Sequence, residues 1–129
     1  MRGRSFFLLI SLLLLNGCVH ETPSEKELMD ENQVFFFSNE SDYKNEVSYY
    51  DALIELKKEY PEVFKNMVVI SPGKEHEVKE RFDIDEYPAL IIVHGNEIIV
   101  EVIGNVSKED IIKPVSTALE EKTSSEQNY

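Results

Sequence analysis

One thiol, a few histidines and a loose group of tyrosines and carboxylates are the residues of this 129-residue chain whose chemistry could go beyond packing. Cys18 is its only cysteine, so no disulfide closes within the chain and no two-thiol exchange is open to it. Nucleophilic catalysis needs a Ser, Thr or Cys beside a His and an orienting acid. Ser38, Ser41 and Ser48 share one segment, but no histidine falls in it. His76 and His94 flank Asp83, Asp85 and Glu86, yet their spacing matches no ligand motif, and a metal needs three or more donors converging at about 2.0–2.6 Å. The expectation is no catalytic residue, no metal and no cofactor. Tyr43, Tyr49, Tyr50 and Tyr87 remain; such side chains serve a protein-binding patch when exposed and a core when buried, and the sequence leaves both readings open.

The stretch that must position these groups is Phe82-Asp83-Ile84-Asp85-Glu86-Tyr87-Pro88-Ala89-Leu90-Ile91-Ile92-Val93. Proline lacks an N–H and holds the residue before it extended, so a strand opens at about Pro88 or Ala89. Its unbroken apolar run reads as buried on both faces, as in the middle of an α/β sheet. Upstream, residues 34–37 are a short apolar strand, residues 38–42 a turn, and Tyr43, Val47, Tyr50, Leu53, Ile54 and Leu56 an amphipathic helix ending near Tyr60-Pro61. Residues 67–70 form a second strand, and residues 74–82 a short helix with Val78 and Phe82 on its buried side. Gly95-Asn96 between two apolar runs signals a hairpin whose partner strand covers residues 98–103. Ser107 caps a last helix with Ile111, Ile112, Val115 and Leu119 inward; Pro114 within it predicts a kink or a late start. The order is β-α-β-α-β-β-α. Right-handed crossovers would run the first two strands parallel to the Pro88 strand.

Before this domain, Arg2 and Arg4 precede an apolar run from Phe6 to Leu15 that is too short to span a bilayer, which gives residues 1–17 the form of a signal peptide. Leu15-Asn16-Gly17-Cys18 resembles the lipobox of bacterial lipoproteins, which implies cleavage before Cys18 and a diacylglycerol on its sulfur. Two acyl chains anchor stably where one is marginal. The remaining residues carry 11 basic against 25 acidic side chains, a net charge of −14. Such a surface repels nucleic acid and anionic lipid, so lipid rather than charge would hold the protein at a membrane. The expected division is residues 1–17 signal, 18–33 lipidated cysteine and tether, 34–120 domain, and 121–129 disordered tail.

Phe82-x-Ile84-x-x-Tyr87-Pro88 and the following strand, then Gly95-Asn96-Glu97, Gly104 and a capped final helix, resemble the C-terminal half of a thioredoxin. The resemblance implies an α/β thioredoxin-like sandwich with a four-stranded mixed sheet and a cis Tyr87–Pro88 peptide. Thioredoxins carry Cys-x-x-Cys where this chain reads Ser38-Asn39-Glu40-Ser41-Asp42-Tyr43-Lys44-Asn45-Glu46. A thioredoxin-like domain without redox activity is therefore implied. By the same likeness, Tyr87 and Pro88 would meet Tyr43 and Asp42 at the surface where the family binds extended peptide. The chain is also similar to small lipoproteins of bacilli, some of them labelled peptidoglycan-associated.

The expected function is a membrane-anchored, non-catalytic module on the outer face of a bacterial, Gram-positive envelope, holding an envelope protein or wall component, with no nucleic-acid partner. Two alternatives stand beside it: an enzyme, as a redox helper borrowing a partner's cysteines or a hydrolase built on the acidic loop, and a structural lipoprotein whose acidic surface binds cations of the wall.

Overall fold

The computed structural model describes residues 31–73 and 76–127. The elements are strand β1 (Asn32–Phe37), a 3-10 segment (Glu40–Glu46), helix α1 (Val47–Glu59), a short α2 (Pro61–Phe64), β2 (Val68–Ile70), α3 (His76–Phe82), β3 (Ala89–His94), β4 (Glu97–Ile103) and α4 (Lys108–Glu126). The strands form one sheet in the order β2-β1-β3-β4. This is the expected thioredoxin-like α/β architecture with a four-stranded mixed sheet.

β3 lies inside the sheet and its residues Ala89 to Val93 are all buried, as the continuous apolar run requires. It starts at Ala89, directly after Pro88, and the Tyr87–Pro88 peptide is cis. β4 returns antiparallel after the two-residue loop Gly95-Asn96. Gly95 has φ 60, the left-handed value that a tight hairpin turn requires of its first central residue.

The direction of β1 and β2 corrects the sequence reading. β1 is parallel to β2 but antiparallel to β3. Phe37 is in register with both Ile70 and Ala89, so the connection from β2 to β3 begins and ends at the same end of the sheet. Its helix, α3, has seven residues, about 10 Å at 1.5 Å per residue, against about 20 Å for a six-residue strand. It does not carry the chain back across the sheet, and β3 therefore runs the other way.

The sheet separates two apolar layers. On one face, Val34, Phe36, Leu90, Ile92, Val100 and Val102 pack against Tyr49, Leu53 and Leu56 of α1 and Ile111, Val115 and Leu119 of α4. On the other, Phe37, Ala89, Ile91 and Val93 pack with Phe82, Ile84 and the partly buried Val78 and Tyr87. The α1 face differs from the expected one. Tyr49, Ala52, Leu53 and Leu56 are its buried residues, while Tyr43, Val47, Tyr50 and Ile54 are exposed. Apolar residues cover most of this helix's circumference, so periodicity alone does not choose the inward side.

Two boundaries also move. β1 begins at Asn32 rather than residue 34, because Asn32 pairs with His94 and its Oδ1 lies 3.0 Å from His94 Nδ1. α4 runs to Glu126, so the expected disordered tail from residue 121 is helical to that point. Good helix formers at Glu120, Glu121 and Lys122 carry it on, and Thr123 and Ser124 donate their hydroxyls to Leu119 O and Glu120 O, both at 3.0 Å. The helix starts directly after Ser107, whose Oγ accepts from Asp110 N–H at 3.2 Å, so Pro114 does not delay it.

Candidate functional site

The end of the sheet where β1 stops and β3 starts gathers the groups singled out above. Ser38 N–H donates to Ile70 O at 2.9 Å, prolonging the β1–β2 pairing by one residue. The chain then turns into the 3-10 segment. Asn39 caps it, its Oδ1 accepting from Ser41 N–H at 3.3 Å and from the Ser41 hydroxyl at 2.5 Å. Asp42, at φ −135 and ψ 55, interrupts the helical geometry and accepts from Asn45 Nδ2 at 2.5 Å. Glu40 accepts from the Ser71 hydroxyl at 3.0 Å, tying the segment to the end of β2.

Glu46 is the residue that sequence reasoning missed. It is fully buried just before α1, and its carboxylate accepts from Ser38 Oγ at 3.1 and 3.0 Å, from Asn39 N–H, and from Tyr50 Oη at 2.7 Å. No cation is among these partners. A buried carboxylate without a counter-charge is tolerable when its lone pairs are filled, and here three donors fill them while the N-terminus of α1 adds a favourable dipole. In return the carboxylate raises the Tyr50 phenol above its usual range, with burial adding to the effect. The only local signal in the sequence is Tyr50 four residues after Glu46, one helical turn on. A glutamate in a charged stretch otherwise reads as surface.

Tyr49 anchors the far side of the corner. Its hydroxyl donates to Gly104 O at 2.7 Å and lies 3.2 Å from Pro88 O, which also accepts from Gly104 N–H at 2.8 Å. Burial, with the charge of Glu86 adding to it, pushes this phenol far up. Gly104 has φ 81, and a Cβ there would meet Glu86 Oε1 at 3.2 Å. The start of α1, the Pro88 step and the end of β4 are thus joined by one phenol.

Of the expected site residues, Tyr43 and Asp42 are exposed on the 3-10 segment and Pro88 is buried beside Tyr49. Tyr87 is half-buried, its ring 6.5 Å from that of Phe37 in the layer of the sheet opposite α1. The four lie at one end of the sheet, where the hydroxyl of Tyr49 is hydrogen-bonded to Pro88 O. Cys18 lies outside the described residues, as does the tether before residue 31. Ser38 is buried and donates to Glu46. Among the described residues, no three or more His, Cys, Asp or Glu side chains could together hold a metal ion. Nor is any helix among them long and apolar enough to cross a membrane.

Comparison with known proteins gives three kinds of likeness. Residues 26–108 match the family described as hydrogenase-1 expression protein HyaE. The Pal-related lipoprotein of Bacillus subtilis strain 168 is 38% identical over 128 residues, covering 92% of this chain and 98% of that protein. Among solved structures, thioredoxin 2 of Pseudomonas aeruginosa PAO1 in its reduced form superposes with a TM-score of 0.56 at 17% identity, covering 78% of this chain and 93% of that one. Thioredoxin f2 of Chlamydomonas reinhardtii gives 0.55 at 16% identity, covering 68% and 79%. At these identities the structural likeness establishes the fold alone.

Proposed function

The chain belongs to the HyaE family, and from that premise we propose that it is a membrane-anchored, non-catalytic thioredoxin-like module that binds a partner protein at the cell envelope. The observation that carries this reading is the closed carboxylate site. Where a thioredoxin has two thiols, residues 38–46 hold none, and Glu46 instead ties Ser38, Asn39 and Tyr50 together. Thiol–disulfide exchange has no nucleophile there. What the corner offers is an exposed tyrosine, Tyr43, beside Asp42, with Tyr87 and Pro88 at the same end of the sheet.

Two further observations support the reading. The family's description as an expression protein accords with an accessory role. The Bacillus subtilis relative is named a lipoprotein, and Leu15-Asn16-Gly17-Cys18 supplies the cysteine such an anchor needs. We place lipid on Cys18 and the domain on the outer face of a Gram-positive membrane; mass spectrometry of the native protein reads the acyl groups directly. The net charge of −14 beyond residue 17 speaks against nucleic acid and for a partner with basic surface.

The test is capture from detergent-solubilised membranes with the full chain, compared with its Tyr43→Ala and Tyr87→Ala forms. A partner retained by the unaltered chain and lost from either variant is the expected result. Equal recovery with all three forms would overturn the reading.

A further inference from the structure

Four of the large apolar side chains exposed in this protein fall on one line. Tyr43, Val47, Tyr50 and Ile54 are 64%, 49%, 44% and 56% exposed, and they recur at intervals of four, three and four residues along the 3-10 segment and α1. Val47, Tyr50 and Ile54 share one face of α1, two turns or roughly 10 Å long, and Tyr43 stands just before it on the 3-10 segment. The opposite face of α1, through Tyr49, Ala52, Leu53 and Leu56, already supplies its share of the core. Of this stripe, Tyr50 also serves the fold through its bond to Glu46 and its edge-on contact with the Phe36 ring at 5.7 Å, while Tyr43, Val47 and Ile54 stand outside the core clusters.

From this stripe, and resting on the binding reading above, we infer that the partner docks with an amphipathic helix laid along Tyr43, Val47, Tyr50 and Ile54, its basic end over Glu40 and Asp42. Backbone chemistry selects a helix over an extended strand. The N–H and C=O groups of α1 are bonded within it, so a strand lying on it would leave its own groups unpaired, whereas a second helix arrives with its backbone satisfied. Side chains at three- and four-residue spacing form ridges that fit the grooves of another helix.

Charge selects the partner and its orientation. The Tyr43 end of the stripe carries exposed Glu40 and Asp42 beside Lys44, with the buried Glu46 behind them, and is net acidic. The Ile54 end carries exposed Lys57 and Lys58. Along the flank, Glu55 is already paired with Lys108 at 2.6 Å and Asp51 stands beside them. A partner helix thus gains by placing Lys or Arg at the Tyr43 end and Asp or Glu at the Ile54 end. A second copy of this chain is disfavoured, because each copy carries −14 beyond residue 17 and the two would repel.

Photo-crosslinking in intact cells that make the full chain tests this. A photoreactive amino acid is placed at Val47, at Ile54, at Tyr87 and, as a control, at exposed Lys65, which follows α2 beyond the end of α1, and the adducts are mapped by mass spectrometry. The stripe predicts that the Val47 and Ile54 adducts fall in one segment of one partner, about seven residues apart, with an excess of Lys and Arg around the Val47 adduct. Combining Val47→Asp with crosslinking from Ile54 is expected to reduce the adduct at least about tenfold. Adducts to a second copy, to an acidic segment, at two-residue spacing, or equal in yield to the Lys65 control would overturn the inference. Partner adducts from Tyr87 with none from Val47 or Ile54 would overturn the stripe while leaving the binding function standing.

Discussion

Two side chains hold the corner, and each makes a measurable prediction. Removing the acceptor in Glu46→Ala leaves the buried Ser38 hydroxyl and the half-buried Asn39 N–H without this partner, at about 1–3 kcal/mol per orphaned buried group. Urea unfolding is expected to show a loss of about 3 kcal/mol, and hydrogen exchange to show faster exchange over residues 39–46 than elsewhere. Tyr49→Phe removes a donor to Gly104 O and is expected to cost about 1–2 kcal/mol. Tyr49 also sets a pH dependence. Its pKa is raised above the roughly 10 of an unfolded tyrosine, so the unfolded chain releases this proton first. Its contribution is complete below about pH 10 and is lost as the pH climbs from there through the folded value. Tyr50, raised by its bond to Glu46, acts with the same sign. Stability measured against alkaline pH should fall less steeply above pH 10 in Tyr49→Phe than in the unaltered chain. Neither role shows in the sequence. Glu46 reads as a surface charge until the 3-10 segment folds it under Ser38, and Tyr49 reads like its neighbour Tyr50 until the helix turns one in and the other out.

At the scale of elements, the features written in local chemistry were legible and those set by chain geometry were not. The β3–β4 hairpin follows from Gly95-Asn96, the start of β3 from Pro88, and the start of α4 from Ser107. The antiparallel run of β3 against β1 depends on a seven-residue α3 being too short to recross the sheet, which no single residue encodes. The inward face of α1 was ambiguous because apolar residues occur on both sides of it. Two glycine and proline positions test the elements themselves. Gly104→Ala places a Cβ in a left-handed conformation and against Glu86, and is expected to cost about 2 kcal/mol in a thermal or urea melt. Pro114→Ala, at an exposed position inside α4, restores a helical hydrogen bond to Asp110 O and is expected to stabilise the protein by about 1–3 kcal/mol. Ile54→Asp lies on the outer stripe and should move stability by no more than about 0.5 kcal/mol.

At the scale of the whole molecule, the fold is thioredoxin-like, a hydrogen-bond cluster around Glu46 closes one end of its sheet, and family membership places the chain with HyaE proteins. One end of the sheet presents tyrosine and carboxylate, and the helix leading away from it presents an exposed apolar line. A strongly acidic domain on a lipid anchor would meet its partners at the membrane surface without adhering to the anionic lipid beneath. Hydrogen exchange on the full chain, alone and in complex with the partner captured from membranes, tests this most directly. Slowed exchange at residues 40–47 and 85–88 on binding is the predicted result. Protection confined to β4 and the C-terminal half of α4, with residues 40–47 and 85–88 unchanged, would contradict it.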